Sequence, residues 1–328
     1  MNVRIGAIAT RTLVALAISV SSGVLPAAAQ EWKKTLVDGF DGDDFSPEGG
    51  LYYRDNFEQS AGIVEFEKTE KFNGAGALKL GVKPICPADS DGCSERAEIW
   101  EKTPLRVPYD IPVWFGFAVK FGDPVPEDKH RYVIAQWKRE IGPEAVGNFS
   151  PLLALRVYNG RLFATVETNY YPGLSTGPKG VPADCEDGIT QVWLRPDTNQ
   201  IRALVATDSE FEPEDGALFN SCSDKLTVID RGSPLPLPTS GWMDFAILSK
   251  PGPDGTGHIE IFANNQWVVT VKGHIGHNDH GLGKNQYFKF GPYRAAADNE
   301  WTMYYDDFRR SLKCEEVLTD SALCAEIN

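Results

Sequence analysis

Tyr287-Phe288-Lys289-Phe290-Gly291-Pro292-Tyr293-Arg294 is the stretch whose reading decides the fold. Taken as a strand, it sends alternate side chains to opposite faces. Phe288, Phe290 and Pro292 then make an apolar face that must lie on a core. Tyr287, Lys289, Gly291 and Tyr293 make the other face, two phenols and an ammonium with a glycine giving room between Lys289 and Tyr293. Such a face suits a chain of sugars, and equally fits an ordinary strand whose second face is solvated. Pro292 marks an edge or a bulge, because proline has no N–H to give to a ladder.

The same period recurs along the chain. In Val113 to Phe121 the residues Val113, Phe115, Phe117, Val119 and Phe121 form a core face, with Trp114, Gly116, Ala118 and Lys120 opposite. In Arg131 to Lys138 the residues Tyr132, Ile134, Gln136 and Lys138 share one face and Val133, Ala135 and Trp137 the other. Asn159-Gly160 and Asn264-Asn265 each sit between two alternating runs and read as hairpin turns. Further strands are expected at Thr35 to Phe40, Leu78 to Val82, Trp242 to Ser249 and Thr302 to Arg309. Tyr170 to about Lys225 reads as one long irregular stretch with a short apolar piece, Gln191 to Leu194. Helical periodicity is nearly absent, and 31 glycines and 22 prolines supply turns. The expectation is an all-β jelly roll, a concanavalin-like sandwich of two antiparallel sheets forming one domain over 30–328, with Phe115, Phe117, Phe288 and Phe290 between the sheets.

The first residues carry Arg4 and Arg11 and no acid, followed by an apolar run to Val20 and small residues at Pro26-Ala27-Ala28-Ala29. This is the pattern of a signal peptide over 1–29, cleaved after about Ala29, and it predicts a secreted or periplasmic protein. The apolar run is too short to span a bilayer, so no membrane partner is expected. Removing the two arginines lowers the formal charge from −14 to about −16. A chain that acidic, without a basic run, is a poor nucleic-acid binder. A polyanionic substrate would need a locally basic site.

The six cysteines are an even number in an oxidising compartment. Proximity pairs Cys86 with Cys93 and Cys314 with Cys324, which leaves Cys185 to Cys222. The turn Asp41-Gly42-Asp43-Asp44 is a candidate calcium ligand set, with Asp306 as a partner if the first and last strands pair. His274, His277 and His280 stand at spacing three on a glycine-rich loop, which reads more readily as a polar loop over a cleft than as a metal site. No GxSxG, HExxH or glycine-rich phosphate loop occurs, and no ExDxxE-type strand places two carboxylates in line for retaining glycoside hydrolysis, so a hydrolase would need a scattered pair.

Several ordered pieces together resemble the polysaccharide lyases of the heparin lyase I and glucuronan lyase group. They are Arg96-Ala97-Glu98, Trp114-Phe115-Gly116-Phe117, Val133-Ile134-Ala135-Gln136-Trp137, the Asn264-Asn265 hairpin before Trp267, Lys289 to Arg294, and Tyr305-Asp306-Asp307-Phe308. The resemblance implies a jelly roll with a substrate groove across one sheet, cleavage of a uronate polysaccharide by β-elimination, and in relatives a structural calcium. It places Tyr293 at the catalytic tyrosine and Gln136 at an amide that neutralises the uronate carboxylate. Arg96 is a second candidate for that role, and Lys289 a cation that helps Tyr293 give up its proton. One departure stands out: the residue after Gln136-Trp137 is Lys138, where relatives often carry a histidine. Either Tyr293 acts as both base and acid, or a histidine such as His130 or His277 takes over. Lys138, Trp100, Trp114, Tyr287, Arg294, His277 and His130 are the candidate substrate-binding residues.

The alternative is a non-catalytic carbohydrate-binding jelly roll using the same groove. The expected partner is an acidic polysaccharide, taken up by a monomer. Heparin would call for a more basic groove than this chain advertises, so glucuronan, alginate or a bacterial acidic exopolysaccharide is favoured.

Overall fold

The computed structural model describes residues 31–327 apart from 55, 57, 88, 89 and 91. The leader read above as a signal peptide lies outside these residues. Among the described residues two antiparallel sheets, of nine and eleven strands, pack face to face. The expected sandwich is therefore present, and Phe115, Phe117, Phe288 and Phe290 are all buried between its sheets. Their rings meet directly: Phe115 and Phe288 centroids lie 5.1 Å apart, Phe117 and Phe288 5.5 Å. Burying such large rings is the main favourable term in closing the two layers.

In the nine-stranded sheet Val113–Phe121 pairs with Met243–Lys250 on one side and Trp301–Ser311 on the other. Its second face is also buried in part, because the C-terminal tail folds over it. Trp114 packs there with Phe262, Val317 and Leu318 in a small separate core. Trp114 thus belongs to the sheet away from the cleft described below, and its expected role in sugar binding is corrected. Trp114 does lie opposite the main core face, but the tail, stapled by Cys314–Cys324, covers it.

The eleven-stranded sheet runs through Leu51–Tyr53, Ile99–Glu101, Leu282–Ala295, Tyr132–Ile141, Leu153–Tyr158, Arg161–Asn169, Gln200–Thr207 and Thr190–Arg195 to Ser221–Ser223. The last three of these strands fall in the stretch expected to be irregular. Thr190–Arg195 contains its short apolar piece, and Ile201, Ala203 and Val205 add a second alternating run. Cys185–Cys222 ties this region together, and all three expected disulfides form. Both Asn-containing turns have left-handed backbone, Asn159 at φ 54° with Gly160 at 72°, and Asn264 at 51° with Asn265 at 59°.

The register slips at one place in the middle of this sheet. Leu155 and Arg156 are neighbours, yet they pair with Ala135 and Val133, so Ile134 is extra. On the other side Phe290 pairs with Ala135 and Tyr293 with Val133, so Gly291 and Pro292 together face that one residue. The single insertion reverses the expected alternation of Tyr132 and Val133: Tyr132 joins the core and Val133 turns to the cleft. The double insertion leaves the alternation of Phe290 and Tyr293 intact. Tyr305 of the facing sheet donates from its hydroxyl to the Ile134 carbonyl at 2.9 Å, which satisfies the acceptor the bulge exposes. Gly291, at φ 122°, has no room for a Cβ because the Ala97 carbonyl lies against it. The glycine therefore makes room for the neighbouring strand segment, whose Ala97 N–H donates to Pro292 O at 2.8 Å, rather than for a sugar.

Candidate active site

The outer face of the eleven-stranded sheet carries an open cleft of about 420 Å³. Tyr293, Arg96, Gln136 and Lys138 line one half, and Arg156, Arg195, Arg202 and Trp193 the other. Several strands contribute these residues, so the cleft crosses the strands rather than following one.

In the first half a buried carboxylate, Glu98, organises the surroundings. It accepts from Lys289 Nζ at 2.6 Å, from Arg96 Nη1 at 3.2 Å and from the Gln136 side-chain amide. Glu98 and Lys289 are each about 1 % exposed. Burial works to raise the Glu98 pKa, but Lys289 and Arg96 outweigh it and the net shift is downward. Lys289 is pushed down to about 7 by burial, against the pull of Glu98. The Arg96 guanidinium lies 3.8 Å from the Tyr293 ring centre, Arg131 4.7 Å and Lys289 5.9 Å. The Tyr293 ring thus lies against three basic side chains. Lys138 lines the cleft beside them. Burial lowers its pKa, Glu98 holds it up in part, and Arg96 lowers it further.

The structure brings Tyr293, Gln136, Arg96, Lys138 and His130 to the cleft wall, His130 at its exposed rim. Lys289 sits beneath that wall. Trp100 and Tyr287 stack on each other at 5.4 Å and 16°, largely buried, with Arg106 4.5 Å from the Tyr287 ring and Arg54 4.8 Å from that of Trp100. They support the cleft from the side and do not line it. Arg294 is fully buried, donating to Glu95 at 2.7 Å, and its expected contact with substrate is corrected. Strand alternation explains this, since the residue after Tyr293 must point inward. His277 is also buried, with Nδ1 3.1 Å from Asn169 Oδ1, so it lies behind the cleft and not in it. Burial keeps its pKa low. The three loop histidines diverge: His274 meets Pro253 O at 2.8 Å, and His280 is exposed near Glu144.

Asp41 and Asp306 do reach one loop, but as hydrogen-bond acceptors. Asp306 accepts from the Phe72 and Asn73 amides, both at 2.8 Å, and Asp41 from the amides of Ala75 and Gly76. Among the described residues no cluster of three or more His, Cys, Asp or Glu side chains is placed to hold a metal ion.

Sequence reasoning missed Glu98 as the hub, although it shares a face with Arg96 and Trp100. It missed the second half of the cleft altogether, because Trp193, Arg195 and Arg202 lie in the stretch read as irregular. There a second buried carboxylate, Glu167, accepts from Arg202 Nε at 2.6 Å and lies 3.5 Å from Arg156 Nη2.

Solved structures are similar to the chain at low identity. An endo-β-1,4-glucuronan lyase from the fungus Trichoderma reesei superposes with a TM-score of 0.54 at 15% identity, over 87% of this chain and 98% of that one. The cellulose-induced protein Cip1 gives 0.45 at 14%, over 85% and 97%, and alginate lyase A1-II′ of polysaccharide lyase family 7 gives 0.39 at 12%, over 75% and 82%. The first of these supports the fold alone. No curated protein matches the chain. The polysaccharide lyase family model matches residues 37–309, so that the sheets, the cleft and both carboxylate hubs fall within it, and the chain belongs to the polysaccharide lyase family.

Proposed function

We propose that this polysaccharide lyase cleaves a uronic-acid-containing polysaccharide by β-elimination in the cleft that holds Tyr293. The observation that carries the reading is the set of cations around a single phenol, Arg96, Arg131 and Lys289, with Lys138 and Gln136 on the same wall. In the reaction the Tyr293 phenolate takes the C5 proton of the uronate. The C5–H electrons form the C4–C5 double bond, and the C4–O4 bond breaks. The Tyr293 phenol then returns the proton to O4, which restores the phenolate. Charge builds on the uronate carboxylate meanwhile, and the Arg96 guanidinium, the Lys138 ammonium and the second amide N–H of Gln136 are the groups that stabilise it. Of the two histidines weighed for this step, His277 is buried and His130 stands at the exposed rim of the cleft, which favours Tyr293 as both base and acid.

The protein acts as a monomer, exported by its signal peptide, on an acidic polymer. Three disulfides are consistent with an oxidising compartment. Family membership favours catalysis over the binding-module alternative. The test is a screen of uronate polymers for the ultraviolet absorbance of a conjugated unsaturated uronate. Elimination produces that chromophore and hydrolysis does not. Absence of the product from every uronate polymer, with glycan binding retained, would sink the proposal.

A further inference from the structure

Tyr293 occupies one half of the cleft, and the other half is at least as basic. Arg156, Arg195 and Arg202 line it, while Glu167, fully buried, is the one carboxylate among the described residues paired with any of them. Arg202 donates to Glu167 at 2.6 Å and Arg156 donates from Nε to Thr165 Oγ1 at 2.9 Å. Arg195 donates only to neutral oxygens, Gln200 Oε1 at 2.8 Å and Ser150 Oγ at 3.3 Å. The acid of the lining, Asp215, accepts from Asn159 Nδ2 and from the Glu212 amide, and no ion pair joins it to any of the three among the described residues. Two guanidiniums therefore share the Glu167 carboxylate, whose second oxygen is buried without a hydrogen-bond partner, and the third, that of Arg195, pairs with no carboxylate among the described residues. Burial lowers the pKa of both Arg156 and Arg195, and Arg202 beside them lowers it further. Concentrating like charges in a desolvated wall is costly unless an anion joins them. The Trp193 ring, 4.9 Å from the Arg195 guanidinium and 5.3 Å from that of Arg202, adds a flat face next to those charges.

The spacing separates this end from the reaction centre. Counted between backbones, Arg156 lies two strands from Tyr293 and Arg202 four, about 10 Å and 19 Å across strands about 4.8 Å apart, and both side chains converge on Glu167. The strands that carry this group are thus other than those that carry Tyr293 and Gln136. We propose that Arg156, Arg195 and Arg202 with Trp193 form a second anion subsite, which binds an acid group on a sugar other than the one that reacts. The acid group is a carboxylate of a neighbouring uronate or a sulfate ester. The substrate is accordingly a polymer with negative charge on successive sugars within the cleft. This rests on the lyase reading for the identity of the reacting sugar, but not for the existence of the subsite.

Binding and turnover are measured on three size-matched oligosaccharides: contiguous unsulfated uronates, uronates alternating with neutral sugars, and the alternating oligomer carrying sulfate on its neutral sugars. Arg195→Gln is the chosen variant, because Arg195 makes no ion pair that the fold needs. Its thermal melting is checked against wild type. The expected result is that wild type binds a doubly charged oligomer about tenfold or more tighter than the alternating one, as a charge-assisted hydrogen bond is worth about 1.5–3 kcal/mol. In Arg195→Gln that advantage shrinks about tenfold in Kd or KM. Preference for the contiguous oligomer assigns a carboxylate, and preference for the sulfated one a sulfate. Equal affinity of wild type for all three, or a folded Arg195→Gln that keeps the full preference, overturns the subsite. The binding arm decides this even when no oligomer is cleaved, so failure of the lyase reading is read separately from failure of the subsite.

Discussion

Glu98 Oε2 and Lys289 Nζ lie 2.6 Å apart beneath the cleft wall, each residue about 1 % exposed. Removing one partner strands the other in a dry site. Glu98→Gln, which leaves Lys289 and Arg96 unopposed, should lower stability by about 3–5 kcal/mol. Because the folded-state pKa of Glu98 lies below its ordinary value of 4.5, its contribution is present above that pH and is lost as pH falls through the folded value. Urea midpoints measured from neutral pH down into the acid range should fall steeply for wild type and less so for Glu98→Gln. Equal slopes would show that Glu98 is not the carboxylate being titrated.

Tyr293→Phe removes one oxygen and keeps the ring against Arg96 and Arg131. Folding and glycan affinity should stay close to wild type. Turnover should drop by about 10²–10⁴-fold, toward the upper end for a residue acting as both base and acid. Steady-state assays of the unsaturated product check this, and full activity in the variant would remove Tyr293 from the mechanism.

Lys138 is assigned the task of holding negative charge, which needs its ammonium form. Burial lowers its pKa below the ordinary 10.5, so activity should decline as pH rises through that lowered value. Lys138→Arg should retain most turnover and move the alkaline limb upward, since a guanidinium stays charged at any working pH. Lys138→Ala should lose turnover across the range. An inactive Lys138→Arg would instead identify the lysine as the proton acceptor.

Cys185–Cys222 spans 37 residues and holds the strands that bring Trp193, Arg195 and Arg202 to the cleft. In the chain-entropy picture its loss should cost about 3–4 kcal/mol, more than loss of either shorter bridge. Replacing both cysteines by serine and following denaturant unfolding tests the ranking, which fails if the Cys86–Cys93 variant is destabilised more.

The loop at 72–76 is held by amide donors to Asp41 and Asp306, without a set of metal ligands among the described residues. Calcium bound beside these contacts would make the melting temperature of the protein fall on adding a chelator and recover on adding calcium. An unchanged melting temperature would remove calcium from this turn.

Much of the fold is legible in the amino-acid sequence, because period-two patterning is a local property. The alternation of Phe115 with Phe117 and of Phe288 with Phe290 names the core, and the same count puts Tyr293 on the correct face. The cysteine pairs follow from proximity along the chain. What the sequence alone does not decide are the events that depend on a second segment. The tail that covers Trp114 comes from about 200 residues further on. The extra Ile134 is visible only against Leu155 and Arg156, since a bulge is defined by its partner strand. Likewise, net charge is a sum over the whole surface, whereas the field in a cleft depends on which charges meet there. An acidic chain carries a basic cleft because distant strands set Arg96, Lys138, Arg156, Arg195 and Arg202 on one wall around two buried glutamates, a juxtaposition fixed by strand order in space and not by order along the chain.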